Sequence, residues 1–161
     1  MPTIRRCRDD EQPAMLRIIN LAAQRYNGVI PTDRWHEPYM GMDELTAEIT
    51  AGVEFWGADL DAALAGVMGI QQVLDVDLIR HAYVLPVHQR RGIGGYLLTE
   101  LCCRTSRPIL VGTWAAANWA IDFYRRHGFG VVEPEEAKAL LKKYWTIPDR
   151  QIETSVVLRR Q

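Results

Sequence analysis

His81-Ala82-Tyr83-Val84-Leu85-Pro86-Val87-His88-Gln89-Arg90-Arg91-Gly92-Ile93-Gly94-Gly95-Tyr96-Leu97-Leu98 is the stretch on which the fold turns. A β-like run stops at Pro86, a turn rich in Gly and Arg follows, and apolar positions 93, 97, 98, 101 and 102 then present one helical face to a core. Free amides at the start of such a helix point into one concavity together with the positive end of the helix dipole, which makes an anion site. Gly92, Gly94 and Gly95 lack the Cβ atoms that would hold a phosphate away from backbone N–H groups, and Arg90 and Arg91 add charge. A diphosphate suits the turn. Two common nucleotide motifs do not fit it. A P-loop needs Lys and Ser or Thr directly after its last glycine, where this chain has Tyr96-Leu97. A dinucleotide fingerprint needs its third glycine where Leu97 stands.

Outward from this segment, the chain alternates strand and helix signals. A short mixed segment, Pro2 to Arg8, precedes helical spacing at positions 15, 16, 18, 19, 22 and 23, with Asp9, Asp10, Glu11 and Pro13 at its start and Asn27-Gly28 as its stop. Residues 29–41 have two prolines, a glycine and no period, which predicts a loop carrying Trp35, His36, Glu37 and Tyr39 toward a substrate. A short helix from Met42 ends before Gly52. Val53 to Trp56 and Ala63 to Val73 read as strands joined across Asp59-Leu60-Asp61, and Val76 to Leu85 reads as a third. After the helix of Gly92 to Arg104 come strand Ile109 to Trp114, helix Ala115 to Arg126, strand Gly128 to Val132, helix Glu135 to Tyr144 and strand Ile152 to Leu158. The order β, α, α, β, β, β, α, β, α, β, α, β predicts a three-layer α/β fold with a mixed central sheet flanked by helices.

The 161 residues, 48% hydrophobic and 24% charged, suit one compact domain spanning 1–161 that needs no disulfide or metal staple. The net charge of −1 provides no global field for nucleic acid or an anionic membrane. The apolar runs Ala62 to Ile70 and Ile109 to Ala117 fall short of the roughly 20 residues of a membrane helix. Met1-Pro2-Thr3-Ile4-Arg5-Arg6 lacks the pattern of a secretory signal. Cys7, Cys102 and Cys103 form no Cys-x-x-Cys pair, so they read as packing residues, and no metal site is expected. The expectation is a protein of the reducing cytoplasm without nucleic-acid or membrane partners.

Gln89-Arg90-Arg91-Gly92-Ile93-Gly94 resembles the Gln/Arg-x-x-Gly-x-Gly/Ala acetyl-CoA motif of the GNAT superfamily of N-acetyltransferases, and it stands between the strand and helix which that family requires. Asn118-Trp-Ala-Ile-Asp-Phe-Tyr-Arg-Arg-His-Gly-Phe129 resembles the family's second helix, Asn-x-x-Ala-x-x-Phe-Tyr-x-x-x-Gly-Phe, in register from Ala120 to Phe129, with Asn118 one residue closer to the alanine than in that pattern. The resemblance implies an N-acetyltransferase with acetyl-CoA as co-substrate on a splayed sheet, where the Val76 to Leu85 strand parts from the Ile109 to Trp114 strand. It implies that CoA binds amides from Arg90 to Gly95 together with Gln89, and the backbone of Ala82, Tyr83 and Val84 in a form of strand addition. By the same resemblance, Tyr124 protonates the leaving thiolate, the alternative being a tyrosine that packs the helix face. Asn118 contacts the CoA arm or caps its helix. Members of the superfamily often pair as homodimers, and that expectation extends to this chain.

Acetyl transfer requires a neutral amine, aligned on the thioester, and a route for its proton. Some family members carry a base on the pantetheine strand at positions that correspond to Leu78 and Arg80, neither of which is one. His81 is adjacent, but strand alternation predicts that it faces the other side of the sheet and packs there. His36 and Glu37 are the remaining candidates, since an imidazole of ordinary pKa about 6.5 can take a proton directly or through water; deprotonation by water alone is the other route. The expected acceptor pocket draws on Trp35, His36, Glu37, Tyr39, Trp114, Tyr144 and Trp145, an aromatic wall for a small-molecule amine. A non-catalytic acyl-CoA-binding module and an enzyme acting on a protein N-terminus or lysine are the competing readings.

Overall fold

In the computed structural model, which describes residues 1–161, seven strands form one mixed sheet. They are β1 (Thr3–Arg6), β2 (Glu54–Leu60), β3 (Ala63–Val73), β4 (Val76–Val84), β5 (Ile109–Trp114), β6 (Phe129–Val131) and β7 (Ser155–Arg160). The helices are α1 (Gln12–Ala23), α2 (Met42–Thr50), α3 (Ile93–Cys103), α4 (Asn118–Arg126), α5 (Pro134–Tyr144) and α6 (Asp149–Glu153). The spatial order is β1-β2-β3-β4-β5-β7-β6, with β4 and β5 parallel and every other neighbouring pair antiparallel. This is the three-layer α/β architecture expected from the element order.

Each sheet face carries its own core. Met15, Ile18, Ile19 and Ala23 recur at helical spacing on α1 and are buried; the first three pack with Leu45 of α2 against Phe55 and Val67. On the opposite face Ile93, Leu97, Leu98 and Leu101 of α3 meet Met68, Ile79, Val111 and Tyr124. Leu141 and Tyr144 of α5 cover Leu78 and Leu110 on the first face. No helix is long and apolar enough to cross a membrane.

Three boundaries differ from expectation, each for a physical reason. Strand β2 runs on to Leu60, because Phe55, Trp56, Gly57 and Ala58 are all buried and show no alternation from which a strand end could be read. The hairpin turn is the pair Asp61-Ala62, both at positive φ (52° and 66°), as a tight two-residue loop demands. Strand β7 starts at Ser155 rather than Ile152, since residues 149–153 form a single helical turn that buries Ile152. Residues 115–117 lie ahead of α4 as a turn.

The N-terminal edge is held by one forked ion pair. Arg5 donates to Asp59 through Nε at 2.7 Å and to both oxygens of Glu11 at 2.8 Å, joining β1, β2 and the entry to α1. Glu11 also accepts the Arg8 backbone N–H at 2.7 Å. The Arg5 hydrogen bond, aided by that amide and outweighing burial, holds the Glu11 carboxyl at about 2, below its ordinary 4.5. A depressed carboxyl contributes stability above its unfolded pKa and loses it as pH falls toward the folded one. Glu11→Gln should therefore cost about 2 kcal/mol at neutral pH and lose less stability than the parent between pH 4.5 and 2; denaturant midpoints at several pH values measure both.

Candidate active site

Strands β4 and β5 pair only at Asp77–Ile109, Leu78–Leu110 and Ile79–Val111. Beyond that point β4 stays bonded to β3 up to Val84, and β5 stays bonded to β7 up to Trp114. The two strands part, and their facing edges border a cleft of about 780 Å³. After β4 the chain passes through a short 3-10 turn, Pro86–His88, and returns into α3, whose first turn forms one wall of that cleft.

The turn between them is built to leave amides free. Gly92 stands at the helix N-cap with φ 79°, and Arg90 is also left-handed at φ 65°. None of the N–H groups of Arg90, Arg91, Gly92, Ile93, Gly94 or Gly95 donates to a backbone or side-chain acceptor, and the first N–H to do so is that of Tyr96, to Gly92 at 3.0 Å. Six consecutive unpaired donors at a helix N-terminus suit a dianionic group. Gln89 braces the turn, its side-chain amide donating to the Val84 carbonyl at 3.0 Å. The second and third glycines serve a different purpose from the one expected. A Cβ on Gly94 would sit 3.2 Å from the Phe123 ring, and one on Gly95 would sit 2.7 Å from His127 Nε2. Their bareness lets α4 approach α3.

Opposite the turn, aromatic rings gather around the opening. The Tyr26 ring lies 5.4 Å from Tyr39, 6.4 Å from Tyr83 and 5.8 Å from Trp119. Trp114 Nε1 donates to the Tyr39 hydroxyl at 3.3 Å. Tyr124 enters from α4 and is 5% exposed. Burial raises the pKa of Tyr26, Tyr39, Tyr83 and Tyr124, so all four hydroxyls keep their protons at neutral pH. Trp145 lies over Gly112, where a Cβ would come within 3.2 Å of the indole.

The profile of the acetyltransferase (GNAT) domain family matches residues 51–131, from the loop before β2 to the end of β6. The chain belongs to this family. It is an acetyl-CoA-dependent N-acetyltransferase by that membership. No curated protein sequence matches it significantly. Among solved structures, the GNAT chain is similar to PaiA N-acetyltransferase from Thermoplasma acidophilum in complex with coenzyme A, at 16% identity and a TM-score of 0.75, covering 100% of this chain and 99% of that one. It is also similar to the ribosomal-protein-S18-alanine N-acetyltransferase from Escherichia coli, at 19% identity and a TM-score of 0.65, covering 99% and 93%. A third likeness is to N-acetylglutamate synthase from Neisseria gonorrhoeae complexed with coenzyme A and N-acetyl-glutamate, at 17% identity and a TM-score of 0.67, covering 99% of this chain and 35% of that one. At these identities the likeness is one of fold.

Of the residues singled out in the sequence, Ala82, Tyr83, Val84, Gln89, Arg90, Gly92, Ile93, Gly94, Gly95, Tyr124, Tyr39, Trp114 and Trp145 border the GNAT cleft. Arg91, Asn118, Trp35, His36 and Glu37 do not. Asn118 is exposed and is the first helical residue rather than the cap, which is Ala117, and its side chain makes no capping bond. His36 Nδ1 lies 2.8 Å from the Pro38 carbonyl and Glu37 accepts from Gln24 at 3.2 Å, both on the exposed outer side of the loop. Trp35 stacks behind Tyr39 at 5.8 Å. Tyr144 is buried among the residues of the α5 core and donates to Asp75 at 2.6 Å. Arg25, Tyr26, Trp119, Phe123 and His127 are among the cleft residues that the sequence reading did not select, and His81 is one that it set aside. Arg25-Tyr26 directly precedes the Asn27-Gly28 stop, and an aromatic held at a helix end was the available signal. His81 sits on the opposite side of the sheet from the one that alternation predicts. No group of three or more His, Cys, Asp or Glu side chains is placed to hold a metal ion.

Proposed function

We propose that residues 1–161 act as one domain that moves the acetyl group of acetyl-CoA to the primary amine of a small molecule, by direct attack in a ternary complex. The observation that carries this reading is the meeting of six free amides, Arg90 to Gly95, with the mouth of the wedge between β4 and β5. In this reading the diphosphate of CoA rests on those amides. Its peptide-like arm adds to the unpaired edge of β4 at Ala82, Tyr83 and Val84, as an extended ligand adds to any open sheet edge. The thioester then lies near Tyr124, whose retained proton is available to the departing thiolate.

The acceptor meets the thioester among Tyr26, Tyr39, Trp114 and Trp145. Two features favour a small molecule there. The aromatic walls enclose the opening from the turn after α1, the loop before α2, β5 and the segment after α5. Asp122 is the one acidic residue of the cleft lining, against Arg25, Arg80, Arg90 and Arg126, so no acidic trough awaits a basic peptide tail. The protein stays in the cytoplasm in this reading, where acetyl-CoA is made and used.

Release of free CoA thiol across small aromatic and aliphatic amines, peptides with an N-terminal alanine and lysine-containing peptides tests the acceptor class. Turnover confined to the small amines is the expected result; turnover of peptides alone overturns it. Acetyl-CoA binding without release on any acceptor would leave a binding module. Arg90→Glu, at an exposed position away from the core, should weaken acetyl-CoA binding by about tenfold and more steeply at low salt, and unchanged affinity would remove the turn from the site. Tyr124→Phe should lower kcat by about a hundredfold with little change in the KM for acetyl-CoA; an unchanged kcat rules out proton donation by this hydroxyl.

A further inference from the structure

Strand β4 carries one residue more than its partner needs. Val67 of β3 pairs with Tyr83 and Gly69 with Arg80, so Met68 alone faces both His81 and Ala82. The surplus is a β-bulge, and His81 takes it up in the left-handed region at φ 55°. A bulge cancels alternation where it stands. Arg80 and His81 both reach Glu48 of α2, on the face of α1 and α2, while Ala82 returns to the α3 face beside Ile79. The bulge thereby turns a histidine into the cleft on the side where the strand otherwise presents Leu78, Arg80 and Tyr83, none of them a base at neutral pH.

The surroundings of His81 fix which of its nitrogens is free. Its Nε2 lies 2.7 Å from Glu48 Oε2, and its ring stacks on Phe55 at 5.8 Å. Arg80 Nη1 approaches the same carboxylate oxygen at 3.0 Å. Burial pushes the Glu48 carboxyl up, but the His81 hydrogen bond and the Arg80 charge outweigh it and hold the group below its ordinary value. An ionised carboxylate only accepts, so Nε2 donates to it and the neutral ring keeps its lone pair on Nδ1. Nδ1 has no hydrogen-bond partner. The sole buried, unpartnered side-chain N or O atom of the chain belongs to His88, so Nδ1 of His81, on a half-buried ring that borders the cleft, is not sealed from it. Glu48 from α2 and Arg80 from β4 are the charged groups that contact His81, and β2 contributes only Phe55.

We propose that His81 is the catalytic base of acetyl transfer, its Nδ1 taking the proton of the incoming ammonium directly or through one water, and that Glu48 is the residue that positions it. The proposal rests on the acetyltransferase reading above and assigns the proton route which that reading leaves open. The ammonium gives one proton to Nδ1, and the neutral amine attacks the thioester carbonyl. The C–N bond forms and the C–S bond breaks, leaving the electron pair on sulfur. The second amine proton reaches that thiolate through the Tyr124 hydroxyl, which gives up its own proton and regains one. The products are the amide and CoA thiol, and His81 returns its proton to water. Sharing the Glu48 carboxylate with Arg80 keeps the ring oriented while a second cation stands nearby, which favours quick return of that proton.

His81→Gln keeps a donor for Glu48 and removes the basic nitrogen; His81→Asn suits the left-handed backbone and removes it differently. Ring 15N spectra of the parent should show the neutral imidazole protonated on Nε2, and a proton on Nδ1 overturns the proposal. With the most reactive amine of the panel, both variants should lose about a hundredfold in kcat/KM, while calorimetry shows acetyl-CoA binding retained. The acidic limb of the parent's kcat/KM profile should disappear in both variants, and in Glu48→Gln the ring 15N spectrum should show a mixture of the two neutral tautomers; a purely structural Glu48 would leave the Nε2–H form in place. Full activity with an unchanged limb in His81→Gln overturns the assignment but leaves the acetyltransferase intact. A parent that fails to bind acetyl-CoA, or binds it and acetylates nothing, overturns the enzyme reading and the base with it.

Discussion

Everything in the cleft follows from the end of pairing between β4 and β5 after Ile79 and Val111. Backbone N–H and C=O groups must find partners, and an edge inside a molecule is costly unless something covers it. Here each strand keeps its outer neighbour, β3 for β4 and β7 for β5, and gives up the inner one. The rings of Tyr26 and Tyr83 cover the gap from one face and those of Phe123 and Tyr124 from the other. A ligand with amides spaced like those of a peptide can supply the missing bonds. The same parting decides where α3 begins, because the chain leaving Val84 turns through Pro86–His88 and brings its helix N-terminus to the mouth of the gap.

The site is electrically local. A chain of net charge −1 has no long-range pull on an anion, yet the cleft lining holds four arginines and a single aspartate. Arg80 is offset by Glu48, and Arg25 lies over the Trp119 ring at 4.3 Å. The remaining positive character comes from Arg90, Arg126 and uncharged amides that need no counter-ion. Burial works in the opposite direction on the tyrosines. Four hydroxyls whose anions are disfavoured cannot store charge between steps, although they can relay a proton. A proton removed from an ammonium therefore has to rest on another kind of group.

Much of the fold was legible because its signals are local. Apolar spacing on α1 and α3, and Pro86 after β4, each follow from a few neighbouring residues. The turn of free amides at the start of α3 was legible for the same reason. Strand β2 was cut short because a strand buried on both faces has no alternation to read. The single turn of α6 is too short to show a period and depends on burying Ile152 against α5. His36 and Glu37 had suitable chemistry, but the path of a thirteen-residue loop is decided by what packs beneath it. Tyr39 and Trp35 anchor that loop by their rings, which leaves the two polar residues on its outer side.

The glycines and the bulge show why residue type alone could not place the rest. Gly94 and Gly95 look like a phosphate cradle, yet the space they leave is taken by Phe123 and His127. The requirement links Gly94 to Phe123 and Gly95 to His127, on and directly after a separate helix, and no window around the turn contains it. At His81 the error has the opposite origin. A period of two was the correct rule for β4, and one surplus residue reversed its consequence for the side chain nearest the chemistry. Bulges need two strands to define them, since the count on β4 matters only against the count on β3. The strained φ of 55° is sustained by bonds that the bulge itself creates, with Glu48 holding the ring and Phe55 lying against its face. A residue kept in a sparsely populated conformation, aimed into the cleft and left with one nitrogen free has a stronger claim on the reaction than any base placed there by position in the sequence.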